Sequence, residues 1–92
     1  MSKTFCVSDA QMERARRRMI IDFDWIVTGV GLFYSYEDVT AGVEVKGLIN
    51  TVPLEDGGFL CDIITTSEDS IRRMYNAFIE LTVEEICPSS KA

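Results

Sequence analysis

The chain has 92 residues, 47% of them hydrophobic, and a formal net charge of −6 at pH 7. This composition excludes a disordered chain and predicts one domain with a packed core over residues 1–92. The sequence contains no histidine, the commonest general base and transition-metal ligand, no apolar run long enough to span a membrane, and no signal peptide at its start. We therefore expect a cytoplasmic protein without a metal or a cofactor.

The first part of the chain predicts a long amphipathic helix over residues 8–29, after a short apolar lead-in at residues 3–7 that fits an edge strand. Ser8 and Gln11 have the spacing of a capping box, and Gly29 can end the helix in the left-handed conformation. The apolar residues of the buried side recur at helical spacing: Met12, Ala15, Met19, Phe23 and Ile26. The opposite side presents an outward line of two cations and two large apolar residues: Arg14, Arg18, Ile21 and Trp25.

The same stretch also fits a second interpretation. Over residues 21–27 polar and apolar residues alternate and strand formers are common, so a helix ending near Arg18 and followed by a strand would bury Trp25. Parity favours the long helix, because the two alternating apolar sets differ: the first is odd-numbered and the second even-numbered. They are Ile21, Phe23, Trp25 and Val27, and then Val30, Leu32, Tyr34 and Tyr36. One continuous strand would need a bulge to serve both sets.

Three strands follow in the sequence pattern. They are predicted at residues 30–37, 43–52 and 59–66, with a turn at 37–42 and a loop at 53–58 between them. Within the second strand, Gly47 marks either a bulge or a close backbone approach. The lengths of these segments predict an antiparallel meander.

A second helix closes the pattern. Thr66 or Ser67 caps it, acidic residues occupy its first turn, and its apolar residues recur at helical spacing as far as Ile86. Pro88 ends this helix, and residues 88–92 are expected to form a frayed tail. The order of elements predicts an α+β fold of helix, three-stranded antiparallel sheet and helix, with both helices packed on one sheet face.

The sequence contains no motif for catalysis or cofactor binding. Its paired carboxylates fall at turns, caps or solvated faces, and the glycines of residues 56–58 lack the rest of a phosphate-binding loop. The spacing of Cys6, Cys61 and Cys87 fits neither a disulfide framework nor a metal motif, so we interpret them as core residues. We therefore expect no enzymatic activity.

Charge is divided unevenly along the chain. Residues 1–28 hold five basic and four acidic side chains, whereas residues 29–92 hold four basic and eleven acidic ones. Four of the basic residues form one patch: Arg14, Arg16, Arg17 and Arg18. Either these arginines form a solvated helix face with weak ion pairs, or they bind phosphate or carboxylate groups while Ile21 and Trp25 supply an apolar anchor.

The opening MSKTFCVSDAQMERARRRM, the length, the histidine-free acidic composition and the compact α+β pattern together resemble a small phage-encoded anti-CRISPR protein directed at the type I-F RNA-guided surveillance complex. The resemblance implies a non-enzymatic inhibitor in the cytoplasm of the infected bacterial host. Such a protein binds among the backbone subunits, close to the guide RNA, and prevents target DNA from pairing. A monomer is expected, with no membrane contact and no small-molecule substrate.

The contact residues of this hypothesis come from the charge pattern, because the resemblance includes no motif that assigns roles to individual positions. They are Arg14, Arg16, Arg17, Arg18, Ile21 and Trp25. The alternative function is a small homodimeric or adaptor module that uses the line of Arg14, Arg18, Ile21 and Trp25 as its interface.

Overall fold

The computed structural model describes residues 2–83, which form two helices and one sheet. In chain order the elements are β1 (Ser2–Val7), α1 (Asp9–Met19), β2 (Trp25–Val27), β3 (Gly31–Asp38), β4 (Val43–Pro53), β5 (Phe59–Thr65) and α2 (Glu68–Thr82). The sheet is antiparallel throughout, with strand order β1-β5-β4-β3-β2. The fold is therefore α+β, but the predicted three-stranded sheet is wrong, because β1 and β2 add a strand at each edge.

The predicted helix over residues 8–29 is wrong beyond its first half. Its start is as predicted, since the Ser8 hydroxyl accepts a hydrogen bond from the Gln11 backbone and the Gln11 side chain accepts one from the Ser8 backbone. However, α1 ends at Met19, and β2 occupies part of the predicted helix. The alternative interpretation, a shorter helix followed by a strand, describes this segment better.

Parity does not favour a helix here, because β2 and β3 form a hairpin. Trp25 pairs with Tyr34 and Val27 with Leu32, and the Thr28 N–H donates to the Gly31 carbonyl at 2.8 Å across the turn. When a chain reverses through a two-residue loop, odd-numbered residues of one strand lie opposite even-numbered residues of the other, on the same face. Trp25 of the odd-numbered set and Leu32 and Tyr34 of the even-numbered set therefore reach one core without a bulge, whereas Ile21 and Phe23 stay exposed.

The core lies between the helices and one face of the sheet. The buried apolar residues of the strands alternate so that they share that face: Val7, Trp25, Leu32, Tyr34, Val45, Ile49, Cys61 and Ile63. The helices cover them with a second set of buried residues: Met12, Ala15, Met19, Ile71, Met74 and Phe78. All these residues belong to one cluster.

Gly47 lies where the sheet and α2 approach each other closely. It pairs regularly with Tyr34 and Thr65, so β4 has no bulge there. A Cβ at this position would lie 2.5 Å from Sδ of Met74 in α2. The absence of a side chain therefore lets α2 pack against the centre of the sheet.

The second helix begins where the sequence predicts, since Oγ of Ser67 accepts from the Ser70 N–H at 3.1 Å. It ends at Thr82, and Val83 is extended. The predicted apolar position Ile86, the stop at Pro88 and the tail at residues 88–92 lie outside the described residues. Between residues 2 and 83, neither helix has the length and apolar character needed to cross a membrane.

Candidate functional site

Two of the four patch arginines, Arg14 and Arg18, donate hydrogen bonds within the molecule. Nε of Arg14 donates to the Thr82 carbonyl at 2.8 Å, and Nη1 of Arg18 donates to the carbonyls of residues 80 and 81 at 3.0 and 3.3 Å. These carbonyls belong to the last turn of α2, which has no basic residue of its own. Arg14 and Arg18 therefore bind the free carbonyls and the negative dipole end of α2.

Trp25 does not lie on an exposed line, and this part of the predicted site is wrong. Its side chain is only 4% exposed. The indole packs against Tyr34 with ring centroids 4.6 Å apart and against Phe78 at 6.0 Å. Trp25 is the first residue of β2, and at this position of the strand its side chain points into the core.

Within residues 2–83 the strongest apolar exposure lies in the segment that joins α1 to β2, residues 20–24, which we call the corner loop. Ile20 is 81% exposed, Ile21 is 77% exposed and Phe23 is 98% exposed. The loop is held by local bonds, with Oδ1 of Asp22 accepting from the Asp24 N–H at 2.9 Å. Its three large side chains therefore face solvent from an ordered turn.

Acidic residues separate the apolar positions of the corner loop. Asp22 and Asp24 alternate with Ile21, Phe23 and the buried Trp25. Partial burial and the nearby charge of Asp22 raise the pKa of Asp24 above its ordinary value. Arg18, Ile21, Phe23 and Leu81 line an open depression of about 560 Å³ at this end of the molecule together with the two carboxylates.

The two remaining patch arginines stand beside the corner loop, one helical turn earlier. Arg17 forms an ion pair with Glu13 at 3.4 Å, with both side chains exposed, and such pairs are weak. The Arg16 guanidinium lies 5.8 Å from the ring centroid of Phe59. A depression of about 640 Å³ runs along this side and is lined by Arg16, Arg17, Ile20 and Phe59 among others.

Together these residues define the corner surface: Arg16, Arg17, Ile20, Ile21 and Phe23. The structure exposes three predicted residues within one short stretch of the chain, Arg16, Arg17 and Ile21, and buries Trp25. Sequence reasoning missed Ile20 and placed Phe23 on the buried stripe. The available signal was the alternation of apolar residues with Asp22 and Asp24, which argues against a continuous helix.

The comparisons with known proteins identify no relative. No protein-family model, no curated protein and no solved structure matches the chain. Among residues 2–83, no group of three or more acidic or cysteine side chains is placed to hold a metal ion.

Proposed function

We propose that this protein is a non-enzymatic inhibitor that binds the type I-F RNA-guided surveillance complex through the corner surface. The observation that carries the proposal is the exposure of Ile20, Ile21 and Phe23 within four residues, beside two exposed arginines. Burial of one such apolar side chain contributes about 1.5–3 kcal/mol. Because these side chains stay exposed in the folded chain, a partner that covers the loop would gain this free energy of burial.

The corner surface combines the two chemistries that a protein–RNA assembly offers. Ile20, Ile21 and Phe23 fit an apolar pocket between protein subunits, and large apolar anchors of this kind dominate binding energy. Arg16 and Arg17 can each donate two parallel hydrogen bonds to a carboxylate or to a phosphate. The resemblance of the opening sequence to type I-F inhibitors agrees with a position beside the guide RNA, where a bound protein would block target DNA.

The alternative of a homodimeric or adaptor module loses the surface on which it was based. Its interface was the line of Arg14, Arg18, Ile21 and Trp25. Trp25 is in the core, and Arg14 and Arg18 bind the end of α2. Only Ile21 of that line remains a fully exposed contact residue.

A competition assay tests the proposal with single side chains of the corner surface. Purified type I-F surveillance complex and labelled double-stranded target DNA are mixed with increasing amounts of the protein. Phe23→Ala should weaken inhibition roughly 30-fold, the effect of removing one central anchor of about 2 kcal/mol. Val39→Ala is the matched control, because Val39 is 80% exposed in the β3–β4 turn and is not part of the corner surface, so its loss should change nothing.

The arginines have a matched control on the other helix. Arg16→Ala/Arg17→Ala should weaken inhibition about tenfold, whereas Arg72→Ala/Arg73→Ala, which removes an equal charge from adjacent exposed positions of α2, should leave it unchanged. Equal inhibition by the Phe23 variant and the wild type would move the contact surface elsewhere. Failure of the wild-type protein to displace DNA at any stoichiometry would refute the inhibitor proposal itself.

A further inference from the structure

The sheet face turned away from both helices, which we call the open face, carries a row of four apolar side chains. The row follows the pairing register across β2, β3, β4 and β5, as Ile26, Phe33, Leu48 and Ile64. Ile26 is 56% exposed and Ile64 is 44% exposed, while the two residues between them are half-buried. With strands about 4.8 Å apart, the row is about 14 Å long.

Carboxylates flank this row on both sides. Asp62 lies on one side, where it accepts a hydrogen bond from the Thr4 hydroxyl at 3.1 Å. On the other side Ser35 and Lys46 come next to the row, and beyond them Glu37 stands directly opposite Glu44 in the β3–β4 register. Nζ of Lys46 lies 3.4 Å from Oε2 of Glu44. Glu37 forms no ion pair within the described part of the chain. The open face is therefore apolar along its centre and mainly acidic toward its borders, with Lys46 between the row and Glu44.

The Glu37–Glu44 pair is unfavourable for the folded chain alone. Like charges directly opposite each other on neighbouring strands destabilise a sheet. Lys46 offsets the charge of only one of the two carboxylates. A cationic group from outside would interact favourably with both, so this border of the row fits a basic ligand.

The charges decide which ligand the apolar row fits. A second copy of the chain would place its own carboxylates against these, and each chain carries a net charge of −6. A nucleic acid would be repelled for the same reason. We propose that the open face binds a cationic amphipathic helix of a protein partner, with the apolar stripe of that helix along the row and its lysines or arginines on the flanking carboxylates.

The dimensions agree with this assignment. A helix rises 1.5 Å per residue, so a row of about 14 Å accepts roughly ten residues, or three turns. Apolar residues spaced by three and four positions on such a helix would meet Ile26, Phe33, Leu48 and Ile64 in succession. The open-face row shares no residue with the corner surface, and this proposal stands without the proposed function.

Fluorescence anisotropy with a designed peptide tests the proposal on the whole chain. The probe is a labelled peptide of about 14 residues with a leucine stripe bordered by lysines, and its matched partner carries glutamates instead of the lysines. The lysine peptide should bind and the glutamate peptide should not. Leu48→Thr/Ile64→Thr should weaken binding about tenfold, because two apolar contacts are lost. Val30→Thr/Val39→Thr, at two exposed apolar positions in turns, should bind as the wild type does.

The charge contribution has its own matched pair. Glu37→Gln/Glu44→Gln should weaken binding of the lysine peptide several-fold at low salt, whereas Glu55→Gln/Asp56→Asn in the β4–β5 loop should not. Amide chemical shifts from two-dimensional NMR then locate the peptide. Shifts at residues 26, 33, 48 and 64 support the proposal, and binding that leaves these amides unchanged overturns it.

Two further outcomes would also overturn the proposal. If the row variants bind the peptide as tightly as the wild type, the row is not the binding surface. If the wild type sediments as a dimer and Leu48→Thr/Ile64→Thr as a monomer, a second copy occupies the open face. Binding by Phe23→Ala should match the wild type, which distinguishes a failure here from a failure at the corner surface.

Discussion

Gly47 shows how one missing side chain positions a whole helix. Gly47→Ala would place a methyl group 2.5 Å from Sδ of Met74 and 2.9 Å from the Ile64 carbonyl oxygen. Overpacking of this kind destabilises a core by about 1–3 kcal/mol. We expect the free energy of unfolding, measured by urea denaturation, to fall by that amount.

The control for Gly47 is another glycine of the same chain. A Cβ at Gly29 would meet no atom within 4 Å beyond its chain neighbours in the described residues, so Gly29→Ala should be neutral or slightly stabilising. A Met74→Ala variant completes a double-mutant cycle. If the clash with Met74 causes the loss, the double variant should be more stable than the two single effects predict together. A neutral Gly47→Ala would contradict the proposed reason for this glycine.

Phe23 and Trp25 mark the limit of prediction for single residues. Helical spacing places Phe23 in the core and Trp25 outside, and the structure has the reverse. The difference arises because α1 ends at Met19, so residues 20–24 lie in a turn and only Trp25 enters a strand. Both patterns, helical and alternating, are present in this stretch, and long-range pairing of Trp25 with Tyr34 decides between them.

At the scale of elements, α1 and α2 are joined by the Arg14 side chain. The charged hydrogen bond from Arg14 to the Thr82 carbonyl satisfies a group that helix geometry leaves unpaired. Arg14→Ala should lower the free energy of unfolding by about 1–2 kcal/mol, within the range for charged hydrogen bonds and helix-end charges. Thermal or urea denaturation measures this change.

The matched control lies one turn further along α1. Arg17 is exposed and makes only a surface ion pair with Glu13, so Arg17→Ala should change stability by less than about 0.5 kcal/mol. Arg14→Lys should recover only part of the loss, since lysine lacks the Nε–H that reaches the Thr82 carbonyl. Equal stability of Arg14→Ala and Arg17→Ala would show that the contact between the helix ends is not important.

The elements differ in how well the sequence predicts them. The central strands β3, β4 and β5 lie near their predicted bounds, because alternating apolar residues and glycine-rich turns delimit them. Ser8 and Ser67 also mark the two helix starts. Of the two edge strands, β1 forms over the residues that fit an edge strand in the sequence. In contrast, β2 is harder to predict, because it has only three residues and its pairing with β3 is a contact that no local pattern specifies.

At the scale of the molecule, only part of the candidate surfaces follows from the sequence. The basic character of Arg16 and Arg17 is visible in the charge pattern. The apolar row of the open face is not, because Ile26, Phe33, Leu48 and Ile64 become neighbours only through the strand register. A difference of one residue in that register would send each of these side chains to the core face.

Two titratable side chains of the core, Tyr34 and Cys61, make the stability of the whole molecule sensitive to alkaline pH. Burial, with a smaller contribution from the charge of Asp24, raises the pKa of Tyr34 from 10.0 to about 12, and burial raises the pKa of Cys61 from 9.0 to about 11. Both side chains keep their protons in the folded state at pH values where the unfolded chain has lost them. Their stabilising contribution is complete below about pH 9 and is lost as the pH rises from about 9 to 12.

Urea denaturation at about pH 8 and about pH 11 should therefore show a lower free energy of unfolding at the higher pH. Trp25 fluorescence reports the transition, because the indole ring packs against Tyr34 of β3 and against Phe78 of α2. Tyr34→Phe removes one of the two titrating groups and should reduce the difference between the two pH values, whatever its effect on stability at pH 8. An equal difference in the variant and the wild type would mean that Tyr34 does not contribute, and the alkaline loss would then have to come from other groups.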